Sequence, residues 1–137
     1  MLFRYERHVR ADLEVGLLIV DDLFLRLWIS LDYWPTDPYV VRCTFPDGFE
    51  GPVAWSISRE LLRRGLTCQA GDGDVAIGPT GEGNVILVLR SQEGAAVLRT
   101  RAAGLARFLD GVERLLPYEQ EHVRQALDTG IAQILDN

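Results

Sequence analysis

From Phe3 to Val15 the odd positions read Phe, Tyr, Arg, Val, Ala, Leu and Val, while the even positions read Arg, Glu, His, Arg, Asp and Glu. This period of two predicts a half-buried strand, because successive side chains of a strand point to opposite faces. Its length suits a strand that crosses a whole sheet or packs beside a neighbouring subunit. Leu23 to Tyr33 repeats the pattern, with Leu23, Leu25, Leu27, Ile29, Leu31 and Tyr33 on one face, although so many leucines would also suit a helix. Pro35-Thr-Asp-Pro38 then predicts a turn, since proline fixes φ and aspartate bonds its own backbone. Tyr39 to Phe45 and Val53 to Ile57 read as strands on either side of a Pro46-Asp-Gly48 turn. Ser58 is placed to cap a short helix through Arg64, and Gly65 to stop it in a left-handed conformation.

The second half predicts a weak strand over Leu66 to Cys68, then strands over Val75 to Ile77, Asn84 to Arg90 and Ala95 to Thr100, with hairpin turns at Gly81-Glu-Gly83 and Gln92-Glu-Gly94. Leu105, Phe108, Leu109, Val112 and Leu116 follow at helical spacing, and that helix must end before Pro117. A last helix is expected from Tyr118 to Leu135, with Val123, Leu127, Ile131, Ile134 and Leu135 on one stripe. The order of elements gives an α+β fold, a mainly antiparallel sheet system with helices at one end. Nothing divides the chain, so residues 1–137 are read as one domain.

Composition narrows the function classes. A chain of 137 residues buries roughly 68% of its unfolded surface, enough for a core without disulfides or metals. The net charge of −6 opposes general nucleic-acid binding, which needs a positive surface. The longest apolar run, Val15 to Val20, is far short of the about 20 residues that span a bilayer, and no apolar signal-peptide core follows the first arginines. The chain is therefore expected to be cytoplasmic. Cys43 and Cys68 both lie in apolar segments and are read as ordinary buried thiols.

No residue is assigned a catalytic, cofactor or metal role. The only histidines, His8 and His122, lie far apart in the predicted elements, too few and too scattered for a zinc site. Asp72 and Asp74 resemble the start of a calcium loop, but the twelfth position is Gly83 where a bidentate glutamate is required. Gly71-Asp-Gly-Asp-Val-Ala76 matches a loose dinucleotide fingerprint yet leads into Ile77-Gly-Pro79 instead of a helix. Without lysine no lysine-based mechanism exists. Two features leave room for binding. Arg59, Arg63 and Arg64 form the densest basic cluster, with Arg59 and Arg63 four residues apart on one helix face; it reads first as a solvated face and otherwise as a site for an acidic partner or phosphate. Trp34 sits in a polar turn between Tyr33 and Pro35, where an aromatic can anchor a partner, whereas Trp55 alternates with Val53 and Ile57 and reads as core.

Three segments in order carry a resemblance: Leu31-Asp-Tyr-Trp-Pro-Thr-Asp-Pro-Tyr39, Val53-Ala-Trp-Ser-Ile-Ser-Arg-Glu-Leu-Leu62, and Gly71-Asp-Gly-Asp-Val-Ala-Ile77. With the Glu93-Gly94 turn and the Phe108-Leu109 pair, the sequence from Leu31 to Leu116 resembles the SsgA-like sporulation and cell-division regulators of actinomycetes. The absence of lysine fits the GC-rich coding of such organisms. The resemblance implies a Whirly-like barrel of two antiparallel sheets with a short mid-chain helix and two C-terminal helices. It further implies a non-enzymatic adaptor of sporulation-specific septation, acting by protein contact at the division septum. Its implied partners are other SsgA-like proteins, the tubulin-like division GTPase FtsZ and copies of itself, in a homo-oligomer such as a trimer. Tyr33, Trp34, Asp37, Arg59, Arg63 and Arg64 are the candidate contact residues. The alternative is a single-stranded nucleic-acid binder, with Trp28 or Trp34 stacking on bases.

Overall fold

The computed structural model describes residues 7–46 and 51–118. The two long alternating segments become β1 (Val9–Val20) and β2 (Leu23–Tyr33), joined at Asp21 and Asp22 into an antiparallel hairpin in which Leu13 faces Ile29 and Val15 faces Leu27. Asp21 takes a positive φ of 49°, a conformation that aspartate tolerates better than most residues. β3 (Val40–Phe45) and β4 (Val53–Ser58) continue on the β2 side. β5 (Val75–Pro79), β6 (Asn84–Ser91) and β7 (Gly94–Arg101) form a meander on the other.

Two sheets were expected, and the described strands form one. Residues Val15, Gly16 and Leu17 of β1 pair with Thr100, Arg99 and Leu98 of β7, and this short ladder joins both groups of strands into a curled seven-stranded sheet ordered β4-β3-β2-β1-β7-β6-β5. Sequence patterning cannot register such a pairing, because it links residues more than eighty positions apart. The sheet has β4 and β5 at its edges.

The helix α1 (Arg59–Gly65) starts where Ser58 Oγ accepts the Leu61 N–H at 3.2 Å, and it packs against both edge strands. Gly65 is the helix's last residue, with no left-handed stop; it is glycine because an added Cβ would lie 2.2 Å from Ile77 Cγ2 on β5. The strand expected over Leu66 to Cys68 is a turn, closed by the Thr67 and Cys68 N–H groups on the Arg64 carbonyl. Cys68 is consequently exposed, contrary to expectation, while Cys43 on β3 is buried and burial pushes its thiol up to about 12. Trp55 is half-buried against the core.

The helix α2 (Ala102–Leu115) buries Leu105, Phe108, Leu109 and Val112 as the spacing predicts. It lies along β1 with Gly104 against Leu13 and Gly111 against Val9, so it runs away from the hairpin tip. The core lies between this helix and the sheet face carrying Val15, Ile29, Leu31, Val41, Ile57, Leu87 and Leu98. The expected last helix beyond Tyr118, the turn expected at Pro46-Asp-Gly48 beyond Pro46, and the first residues of the expected first strand lie outside the described residues.

Candidate protein-interaction surface

Of the six candidate residues, Tyr33 and Arg59 are buried, Trp34 is half-buried, and Asp37, Arg63 and Arg64 are exposed. Tyr33 ends β2 fully buried, and its hydroxyl donates to the Pro38 carbonyl at 3.1 Å, closing the turn that follows. Arg59 is only 4% exposed: it points inward, donating to Tyr33 Oη at 3.2 Å and to Glu113 of α2 at 2.8 Å, with its guanidinium over the Tyr33 ring. Glu113 also accepts the Tyr118 N–H. This knot ties the end of β2, the start of α1 and the end of α2 together. It removes Tyr33 and Arg59 from any contact surface, because a buried arginine with charge-assisted bonds is committed to the fold. The helix-face argument failed at Arg59 because α2 brings Glu113 to it from 54 residues away, a contact that spacing along α1 does not show.

Arg63 and Arg64 are exposed, and Arg63 pairs with Asp110 of α2 at 3.5 Å. Asp37 is exposed in a turn where its N–H meets the Trp34 carbonyl at 3.0 Å. Trp34 is half-buried: the His8 ring stacks parallel to it at 4.6 Å, and the Arg42 guanidinium lies 5.3 Å from its centroid. His8 is fixed in turn by Asp32, whose Oδ1 lies 2.7 Å from Nε2. Trp34 is thus a braced aromatic with part of its surface open, and the fold groups it with Asp37 but not with the arginines of α1.

The surface that patterning missed is the outer half of the β1–β2 hairpin. β7 leaves β1 at Leu17, and β3 reaches β2 only from Ser30 onward. Between these points the hairpin projects as an arm. Ile19, Val20, Leu23, Leu25 and Trp28 on it are 51–64% exposed. Leu17, Val20, Leu23, Leu25 and Leu27 continue the face that elsewhere forms the core, with Leu17 opposite Leu25 and Val20 opposite Leu23 beyond a bulge at Ile19. An exposed apolar patch of this kind marks a contact site. Among the described residues, no helix is long and apolar enough to cross a membrane.

The comparisons agree with this architecture. A model of the family described as the Streptomyces sporulation and cell division protein SsgA matches residues 27–121. The chain is 35% identical over 130 residues to the sporulation-specific cell division protein SsgB of Streptomyces coelicolor, covering 93% of this chain and 95% of that one. It is 39% identical over 127 residues to SsgB of Thermobifida fusca, covering 89% and 92%. Among solved structures, an SsgA-like sporulation-specific cell division protein from Thermobifida fusca superposes with a TM-score of 0.79 at 32% identity, over 96% of this chain and 98% of that one. A structure of SsgB, reported with mutations that correlate with longitudinal cell division during sporulation of Streptomyces coelicolor, gives 0.80 at 33% identity over 88% and 97%. With a matching family model over most of its length and relatives above 30% identity over nearly all of it, the chain belongs to the SsgA family of sporulation and cell-division proteins.

Proposed function

We propose that this chain is a non-enzymatic adaptor of sporulation-specific cell division, acting in the cytoplasm at the septum through protein contacts. The observation that carries the reading is the arm. Four large aliphatic side chains left in water on one hairpin, Ile19, Val20, Leu23 and Leu25, raise the free energy of the isolated chain, at about 25 cal/mol per Å² of apolar surface that a partner would cover. A second copy is the simplest cover, and a cyclic homo-oligomer such as a trimer would bury every arm equally. Such an assembly presents several copies of the braced Trp34 turn, so weak contacts with SsgA-like proteins or FtsZ would gain from effective concentration. Recruitment of FtsZ and control of cell-wall assembly would follow from those contacts.

Affinity capture from a nuclease-treated lysate of a sporulating actinomycete tests the reading, with wild type, Trp34→Ala and a Leu23→Asp/Leu25→Asp double variant as baits. Wild type should retain SsgA-like or division-ring proteins, and both variants should retain less. Retention of neither group by wild type would remove the adaptor reading.

One observation favours a second reading. Trp28 is exposed on the polar sheet face between Arg26 and Ser30, where a base could stack. Single-strand binding by that face would cost about 1–3 kcal/mol per stacked base on Trp28→Ala and fall steeply with salt. A labelled oligothymidylate that shows no binding at low salt ends it.

A further inference from the structure

On the sheet face opposite the core, the base of the arm forms one wall of an open groove of about 760 Å³. Its floor is a cross-strand row. Gly16 of β1 pairs with Arg26 of β2 on one side and Arg99 of β7 on the other. The two arginines therefore stand about 10 Å apart with no side chain between them. The gap admits Phe24 from the next row: a Cβ on Gly16 would lie 3.1 Å from Phe24 Cβ and 3.2 Å from its Cδ1. The Phe24 ring in turn carries the Arg99 guanidinium, whose central carbon lies 3.9 Å from the ring centroid.

Charge pairing separates the three arginines of the groove. Arg26 is neutralised by Glu14 at 2.6 Å. Arg99 and Arg101 both line the groove and are exposed, yet among the described residues neither has a carboxylate partner. A guanidinium stacked on an aromatic ring is held in place and keeps its in-plane N–H fork unused, the geometry that grips a carboxylate or phosphate with two parallel bonds. In a chain of net charge −6, two unpaired arginines in one concavity stand against the prevailing field. Glu82 also lines the groove and has no cationic partner among the described residues; it would repel a continuous phosphate backbone, whereas a peptide can set its carboxylates selectively against Arg99 and Arg101.

Resting on the adaptor reading, we infer that this groove is a docking site for an acidic, extended segment of a protein partner, with Arg99 and Arg101 gripping its carboxylates and Phe24 holding Arg99 in position. The site is separate from the apolar side of the arm, so one copy can self-associate and hold the segment together.

The test is fluorescence anisotropy of the full chain with a labelled extended octapeptide carrying two glutamates separated by glycine and serine, and with a labelled short oligothymidylate as a second probe. Wild type should bind the peptide saturably and more tightly than the oligonucleotide. Arg99→Ala/Arg101→Ala should weaken the peptide at least about tenfold, the smallest loss expected when charged hydrogen bonds are removed. Phe24→Leu should weaken it by a smaller factor, while Arg107→Ala on α2, outside the groove, should leave it unchanged. Both groove arginines are exposed, so an unchanged thermal melt would show that their variants fold. Absence of peptide binding by wild type, equal binding by the Arg99→Ala/Arg101→Ala variant, or tighter binding of the oligonucleotide would each overturn the inference. The Leu23→Asp/Leu25→Asp variant separates the two claims. It should lose self-association and keep the peptide, so failure of the adaptor reading and failure of the groove give different results.

Discussion

The two halves of β2 carry one alternating pattern and meet opposite fates. Leu23 and Leu25 are 64% and 55% exposed, whereas Ile29, Leu31 and Tyr33, on the same face of the same strand, are 3%, 3% and 0% exposed. Periodicity names the face of a strand that is apolar; it does not say where the layer covering that face stops. Here α2 covers the inner half, since Gly104 meets Leu13, and Leu13 pairs with Ile29. The outer half has no cover among the described residues. An apolar face that continues past its own core is what an interaction surface looks like in sequence.

This contrast can be broken most sharply at Leu31. Leu31→Ala should lower unfolding free energy by about 2–5 kcal/mol, measured by denaturant titration, while Leu25→Ala should leave the stability of dilute protein almost unchanged. A large loss at Leu25 in a monomeric sample would mean that the arm is folded into the chain's own core. A second contrast lies within α1. Arg59→Ala should cost about 1–3 kcal/mol, because Tyr33 Oη and Glu113 lose a charged donor inside the fold, and Arg63→Ala no more than about 0.5 kcal/mol, since its pair with Asp110 is half in water. Equal costs would contradict the inward placement of Arg59. The cysteines give the smallest effect and a direct readout. Near neutral pH a thiol reagent should modify Cys68 and spare Cys43 until denaturant is added, as Cys43 is both buried and held as a neutral thiol. Labelling of both in the folded protein would place β3 outside the core.

Much of the fold was legible. The strands from β2 to β7, the Ser58 cap and the buried stripe of α2 follow from period, turn residues and capping chemistry, which are local. What escaped is non-local. The Val15–Leu17 ladder to β7 turns two expected sheets into one, and nothing near either strand announces it. The glycine at position 65 looked like a helix stop, but its reason is a side chain on β5, twelve residues on. Arg59 reads as surface in any local window, and only the approach of α2 gives it Glu113. For the candidate surface, Trp34 was found as an aromatic in a polar turn, and its bracing by His8 was not. The exposed arm was hidden in plain view, because its leucines look the same as those of the core.

The central claim is that the arm is a self-association surface, and its most direct test is the solution mass of the full chain by light scattering at micromolar concentration. Wild type should show a multiple of the monomer mass that falls to one on Leu23→Asp/Leu25→Asp, with the thermal melt of the folded monomer preserved. A sharp monomer mass for wild type, or an oligomer unaffected by both aspartates, would contradict it.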